Sequence, residues 1–195
     1  MSPGKRIEQG CLGKIEELRN WYQKKAESPA SILFIEKSLG ILINENIPFS
    51  GRFDRIDFVG SNRKVCVIDY KTGDAYKHIK NITDNNDPTN KDCDPYLHQL
   101  IAYKLILENQ PNPYKVTSCK LEFLEPSKRT VKKYNIEERE YKTLELTITD
   151  KMVEDMKKLI IDVWNRIHNL EFKKLAEYDK TKCENCNFRG VCWEV

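Results

Sequence analysis

In the run VCVIDYKTG, Val65 to Gly73, an apolar segment ends in a carboxylate, an aromatic ring and an amine. Side chains alternate across a strand, so Val65, Val67, Asp69 and Lys71 share one face and Cys66, Ile68 and Tyr70 the other. The preceding run GRFDRID repeats the device: Asp54 goes with Ile56 and Phe58, and Asp57 with Phe53 and Arg55. If the two strands pair, Asp54 and Asp69 meet at one edge of the core. Two carboxylates in a partly dry site repel, and one is pushed toward its neutral form unless a cation sits between them. Oxygen ligands suit Mg²⁺ or Mn²⁺. A lysine beside the acid can orient water and stabilise charge on a phosphate. Metal-assisted hydrolysis of a phosphodiester needs these parts. A lone DYK would read as an ordinary charge pair at a strand end, and the second acidic strand is what changes that reading.

The elements that must position these residues follow from periodicity. Cys11, Leu12, Ile15, Leu18 and Tyr22 recur at helical spacing between Glu8 and Glu27, before Ser28-Pro29. SILFIEKSLGILI reads as one or two strands joined by a turn or bulge, and FSGRFDRIDFVG with KVCVIDYKTG as a hairpin. Residues 79–95 read as a long polar loop, in which Cys93 has no evident role. YLHQLIAYKLIL, Tyr96 to Leu107, is a strongly apolar helix. Strands are expected in KVTSCKLEFL, RTVKKYNI and TLELTI, with Cys66 and Cys119 as core thiols. Asp150 is the expected N-cap of a last long helix with Val153, Met156, Leu159, Ile160, Val163, Trp164 and Ile167 on one face.

At 195 residues and 39% hydrophobic content the chain can bury one substantial core, and the expectation is one domain over 1–195. No apolar run reaches the roughly 20 residues of a membrane span. The start MSPGKRIEQG lacks an apolar signal region, so a cytoplasmic location is expected. The net charge of +3 is the balance of 33 basic and 30 acidic side chains and leaves nucleic-acid binding to local patches. Lys128, Arg129, Lys132 and Lys133 are the densest such patch, a phosphate-contacting surface or a charged guard on a strand edge.

GRFDRID, VIDYKTG and HQLIAY together resemble the three-motif signature of the PD-(D/E)XK nucleases, in the RecB-like branch of helicase-nucleases and CRISPR-associated Cas4 proteins. Its G-x-x-D strand, (D/E)-x-K strand and Q-x-x-x-Y helix are matched by Gly51 to Asp54, Asp69 to Lys71 and Gln99 to Tyr103. The resemblance spans about residues 10 to 192. It implies an α/β fold with a restriction-endonuclease-like core, a mixed central β-sheet flanked by helices. It implies Asp54, Asp69 and the Tyr70 backbone carbonyl as ligands of Mg or Mn, and Lys71 as the catalytic lysine. Gln99 and Tyr103, four apart on one helix face, would steady that lysine or touch a DNA phosphate, although in isolation they would read as packing residues. Many relatives carry a histidine ligand on the first helix. This helix has none and offers Glu16 or Glu17, of which Glu16, flanked by Ile15 and Leu18, fits better; both could instead pair with Lys14 or Arg19. His98 and His168 read as surface or packing residues, and His78 as a residue that can approach phosphate without a motif behind it.

The activity so implied is metal-dependent hydrolysis of DNA, exonucleolytic rather than endonucleolytic. The motif environment is most similar to nuclease modules fused behind UvrD/Rep-type helicases in DNA repair or recombination, so a helicase in the same polypeptide or complex is the implied partner. The alternatives are a Cas4-like nuclease of CRISPR adaptation, and a silent nuclease fold serving as a DNA-binding or Fe-S scaffold. The intact acids and lysine argue against silence.

Seven cysteines are an odd number for a disulfide framework, and Cys183, Cys186 and Cys192 crowd a segment at 183–192 with spacing C-x2-C-x5-C. In Cas4 and AddB-type nucleases a similar trio joins an N-terminal cysteine to hold a [4Fe-4S] cluster, and Cys11 is the corresponding candidate here. Zinc is the other metal such thiols would take. Without metal they would pack as an apolar knuckle with Phe188, Val191 and Trp193.

Overall fold

The computed structural model describes residues 18–19, 21, 31–60, 62–72, 75–125, 141–171 and 174–193. Five strands lie in the order β1-β2-β3-β4-β5: β1 Ile32–Ile43, β2 Ile47–Phe58, β3 Lys64–Lys71, β4 Lys115–Phe123 and β5 Thr143–Leu146. The β3–β4 pair is parallel and the others antiparallel, which makes the sheet mixed, as expected. A parallel pair needs a crossover. Helices α1 (Ala75–Asp84) and α2 (Pro95–Glu108) supply it between β3 and β4. Helix α3 (Asp150–His168) and the single turns α4 (Lys180–Cys183) and α5 (Arg189–Cys192) follow β5. The chain forms two compact units, Met1–Leu159 and Ile160–Val195.

The sheet centre is dry. Val65, Cys66, Val67 and Ile68 are all buried, so β3 has no solvent face and reads as a continuous apolar run. Helix α2 is buried on more than one side through Leu97, Leu100, Ile101, Leu105, Ile106 and Leu107. It begins at a firm cap: Asp94 Oδ1 accepts the Tyr96 N–H at 3.0 Å, and Pro95 fills the first helical position.

Several expectations are corrected. SILFIEKSLGILI is a single strand with one irregularity between Ile32 and Phe34. Residues 79–84 belong to α1 rather than to a loop: burial of Ala75 and Ile82, seven apart, outweighs the weak helix propensity of Asn81, Thr83 and Asp84. Cys93 is buried, with burial pushing its thiol up. Thr149, not Asp150, caps α3, its Oγ1 accepting the Met152 N–H at 3.2 Å. Asp150 is drawn instead to the buried Lys104 of α2, whose Nζ lies 2.9 Å from Asp150 Oδ1 and donates to Ile148 O at 3.0 Å. Of the expected apolar face of α3, Val153 and Met156 are buried while Val163 and Ile167 are exposed.

Strict alternation along β2 also fails where it matters. Phe53 packs on the Tyr103 ring at 4.4 Å between centroids, on the side of the sheet that carries Asp69, rather than opposite Asp54. Burial falls on Ile47 and Phe53 and then on Ile56, so the period slips at Asp54-Arg55. Across the pair, Glu36 holds a left-handed φ of 50° at the same level. RTVKKYNI and the basic patch Lys128, Arg129, Lys132 and Lys133 lie outside the described residues, as do Cys11, Glu16 and Glu17. Of the expected first helix only Leu18, Arg19 and Trp21 are described, and all are helical.

Candidate active site

The β2–β3 ladder runs from Phe58–Val65 to Arg55–Ile68 and stops there. Beyond it the Asp54 side chain replaces the backbone: its Oδ2 accepts the Tyr70 N–H at 2.8 Å. That bond ties the two acidic strands together at the point where they separate. On the other side β3 stays paired with β4 through Asp69–Leu121, Tyr70–Glu122 and Lys71–Phe123. Asp69 and Lys71 are therefore held on a rigid strand end, as a precise site requires.

Helix α2 closes the constellation. Lys71 Nζ lies 2.5 Å from Asp69 Oδ2 and donates to Gln99 Oε1 at 2.6 Å. Gln99 Nε2 donates to the Tyr103 hydroxyl at 2.6 Å, and that hydroxyl has the Arg52 carbonyl at 2.7 Å and Asp69 Oδ1 at 3.2 Å as acceptors for its one proton. Gln99 and Tyr103, one helical turn apart, thus form a chain from the lysine to the β2 backbone and the β3 carboxylate. Gly51 permits this approach: a Cβ there would stand 3.1 Å from Ile106 Cδ1 and 3.3 Å from Tyr103 Cε1. The structure brings together Asp54, Asp69, Lys71, Gln99 and Tyr103. The Tyr70 side chain turns away, its hydroxyl accepting from Arg55 Nη1 at 3.3 Å and its ring edge-on to Trp21.

Asp69 is 1% exposed. Burial pushes its carboxyl above the ordinary range and the Asp54 charge pushes the same way, against the pull of Lys71 and the Tyr103 hydroxyl. Burial likewise raises the Tyr103 phenol, which stays a protonated donor at any working pH. Lys71 is in charge contact with the buried Asp69 Oδ2, and no other group among the described residues bonds that oxygen. A buried carboxylate oxygen left in this state, with a second carboxylate beside it, fits a hard divalent cation. Asp54 and Asp69 are the side chains that would hold it. Among the described residues no group of three histidine, cysteine or acidic side chains converges on one point.

Sequence reasoning missed the surroundings of Lys71. Its Nζ sits over the Tyr96 ring at 4.5 Å, and the His78 ring stacks on Tyr96 at 4.1 Å. His78 Nδ1 lies 2.9 Å from Oδ2 of the buried Asp94. No motif marks this group; its one sequence signal is Asp-Pro before an apolar helix, which announces a cap and nothing more. His98 is a packing residue, its Nε2 at 2.7 Å from Pro88 O. His168 packs against Trp164 on the exposed end of α3.

In the unit Ile160–Val195, Cys183, Cys186 and Cys192 line one cavity of about 680 Å³ together with Phe188, Arg189 and Trp193. Cys183 is buried and Cys186 exposed, and Asp179 caps the turn that carries Cys183 by accepting the Thr181 N–H at 2.9 Å. The three thiols share a cavity without converging as a ligand set.

Among solved structures, the chain is similar to SSO0001, at 15% identity and a TM-score of 0.46 over 95% of this chain and 71% of that one. It is also similar to a Eubacterium rectale protein designated "Putative exonuclease", at 13% identity and a TM-score of 0.49 over 92% of this chain. The chain spans 58% of the length of that second protein. No curated protein matches it. The family model of the PD-(D/E)XK nuclease superfamily matches residues 6–193, nearly the whole chain and all the residues of the site just described, and the chain belongs to that superfamily.

Proposed function

We propose that the protein is a divalent-metal-dependent deoxyribonuclease that hydrolyses phosphodiester bonds at the site of Asp54, Asp69 and Lys71. The observation that carries this reading is the buried Asp69 carboxylate with a second carboxylate beside it, its Oδ2 partnered among the described residues by the Lys71 ammonium alone. A charge arrangement this costly to bury has no use in a packing role. Mg²⁺ or Mn²⁺ would be held by Asp54, Asp69, the Tyr70 carbonyl and Glu16, and would supply Lewis-acid polarisation of the phosphate and a water of lowered pKa. Lys71, steered by Gln99 Oε1, orients the attacking water and balances charge on the phosphate. Tyr103 fixes Asp69 and the β2 backbone so that the two carboxylates keep their spacing. The motif pattern supports exonuclease action in DNA repair or recombination in the cytoplasm, beside a UvrD/Rep-type helicase in the same polypeptide or complex.

Labelled single- and double-stranded DNA, incubated with Mn²⁺ or Mg²⁺ and with wild type, Asp69→Ala or Lys71→Ala, tests the assignment. Each variant should lose on the order of 10²-fold or more in rate. Equal degradation by all three proteins would sink the assigned site.

A second reading is favoured by the cysteine-lined cavity: Cys183, Cys186 and Cys192, joined by Cys11, would take a [4Fe-4S] cluster or zinc and align the protein with Cas4-like nucleases of CRISPR adaptation. Anaerobically purified protein should then be brown and contain about four irons per chain. Zinc in its place would be colourless, and a metal-free folded preparation would remove this reading.

A further inference from the structure

The His78–Asp94 pair beside Lys71 is absorbed by nothing in the proposed site. Asp94 is buried and aims its carboxylate at His78 Nδ1, at 2.9 Å and 3.2 Å from its two oxygens. The same carboxylate is pinned by the Asn81 amide at 3.3 Å and by the Tyr96 N–H at 3.0 Å, so it cannot follow the ring if the ring moves. Tyr96 stacks on the imidazole at 4.1 Å and fixes its plane. A carboxylate on Nδ1 selects the tautomer with its hydrogen there and leaves Nε2 as the nitrogen that can exchange a proton. Among the described residues Nε2 has no hydrogen-bond partner, and the side chain keeps 23% of its surface exposed. An oriented, half-buried imidazole with one nitrogen held and the other open is built for proton transfer.

The roles already assigned to the other groups decide which proton. Lys71, Asp69 and Asp54 gather where the water must be oriented. His78 stands beside that group, since its ring and the Lys71 ammonium both touch the Tyr96 ring. In an in-line displacement the leaving oxygen lies across phosphorus from the attacking water. We propose that His78, positioned by Asp94, is the proton donor to the leaving oxygen, an assignment that rests on the nuclease reading. In the step, water oxygen bonds to phosphorus as the bond from phosphorus to the leaving oxygen breaks. The proton on His78 Nε2 passes to that oxygen to give an alcohol. The proton lost by the water goes to solvent, from which neutral His78 is recharged.

The test uses a substrate that needs no such proton. A bridging sulfur in place of the leaving oxygen departs as a thiolate, so DNA carrying one such linkage, made in 3′-sulfur and 5′-sulfur series, is compared with ordinary DNA in Mg²⁺. His78→Gln should fall roughly 10²-fold or more on ordinary DNA, the usual contribution of a positioned acid, and stay within about threefold of wild type on the sulfur linkage that matches the leaving atom. Recovery on that linkage also shows that the variant is folded. Asp94→Asn, which keeps an oxygen for the helix cap, should show a smaller loss with the same selective recovery. Equal loss on both linkages would assign His78 to packing or substrate binding, and no loss on either would remove it from the reaction; each outcome overturns the proposal. A wild type that cleaves neither substrate overturns the nuclease reading, and this assignment with it.

Discussion

At the level of single residues, the site trades stability for charge. Asp69 has a raised folded pKa, so the folded chain binds a proton more readily than the unfolded one at this position. The resulting penalty is absent below the ordinary carboxylate value, grows as pH rises, and is complete above the raised folded value. Each unit of such a shift is worth about 1.4 kcal/mol. In metal-free protein, Asp69→Asn should therefore raise Tm at neutral pH, with a gain that shrinks as the pH falls through the raised value and vanishes below the ordinary carboxylate range, where Asp69 is protonated in both states. Denaturation in EDTA across that range checks the sign. Tyr103→Phe makes the opposite case. It removes the hydroxyl that receives Gln99 Nε2 and serves Arg52 O and Asp69, leaving buried groups unpaired. A loss of about 1–3 kcal/mol in chemical denaturation is expected, together with a fall in kcat larger than any change in KM.

Among the elements, what the sequence discloses depends on how local the cause is. The acid-lysine strand is legible because a strand end and a two-residue spacing fix it. The Q-x-x-x-Y pair is legible because four residues make one helical turn. The slip of period at Asp54-Arg55 is not, since it goes with the left-handed Glu36 across the pair and with Phe53 packing on Tyr103. Nor is the His78–Asp94 contact, whose partners are 16 residues apart on a helix and a cap that meet through packing. Gly51 belongs to this scale. The pattern marks it as part of a motif, and the structure gives the reason: it lets α2 lie against β2. In Gly51→Ala the new methyl meets Ile106, which can yield, and the Tyr103 ring, which is pinned by its hydroxyl bonds. A cost of about 1–3 kcal/mol and a matching loss of activity are expected, read as a lower denaturation midpoint with an unchanged slope. An unchanged midpoint would show that α2 adjusts without strain.

The molecule as a whole should register the metal through its stability. A cation that binds Asp54 and Asp69 in the folded chain alone stabilises it by mass action, about 2.7 kcal/mol at a hundredfold excess over Kd. It also removes the penalty that burial and the Asp54 charge place on ionised Asp69, so the two effects reinforce each other above the raised pKa. Below the ordinary carboxylate range they vanish together, because a protonated Asp69 neither repels Asp54 nor binds the ion. Thermal melts of wild type should therefore shift upward with Mn²⁺ at neutral pH and little below the ordinary carboxylate range. Asp69→Asn, more stable than wild type without metal, should show a far smaller shift and be overtaken by wild type once Mn²⁺ saturates. That crossing distinguishes ion binding at these two carboxylates from general screening of surface charge, which would move both proteins equally. A parallel shift in both would place the ion elsewhere and leave Asp54 and Asp69 as a costly pair without a ligand.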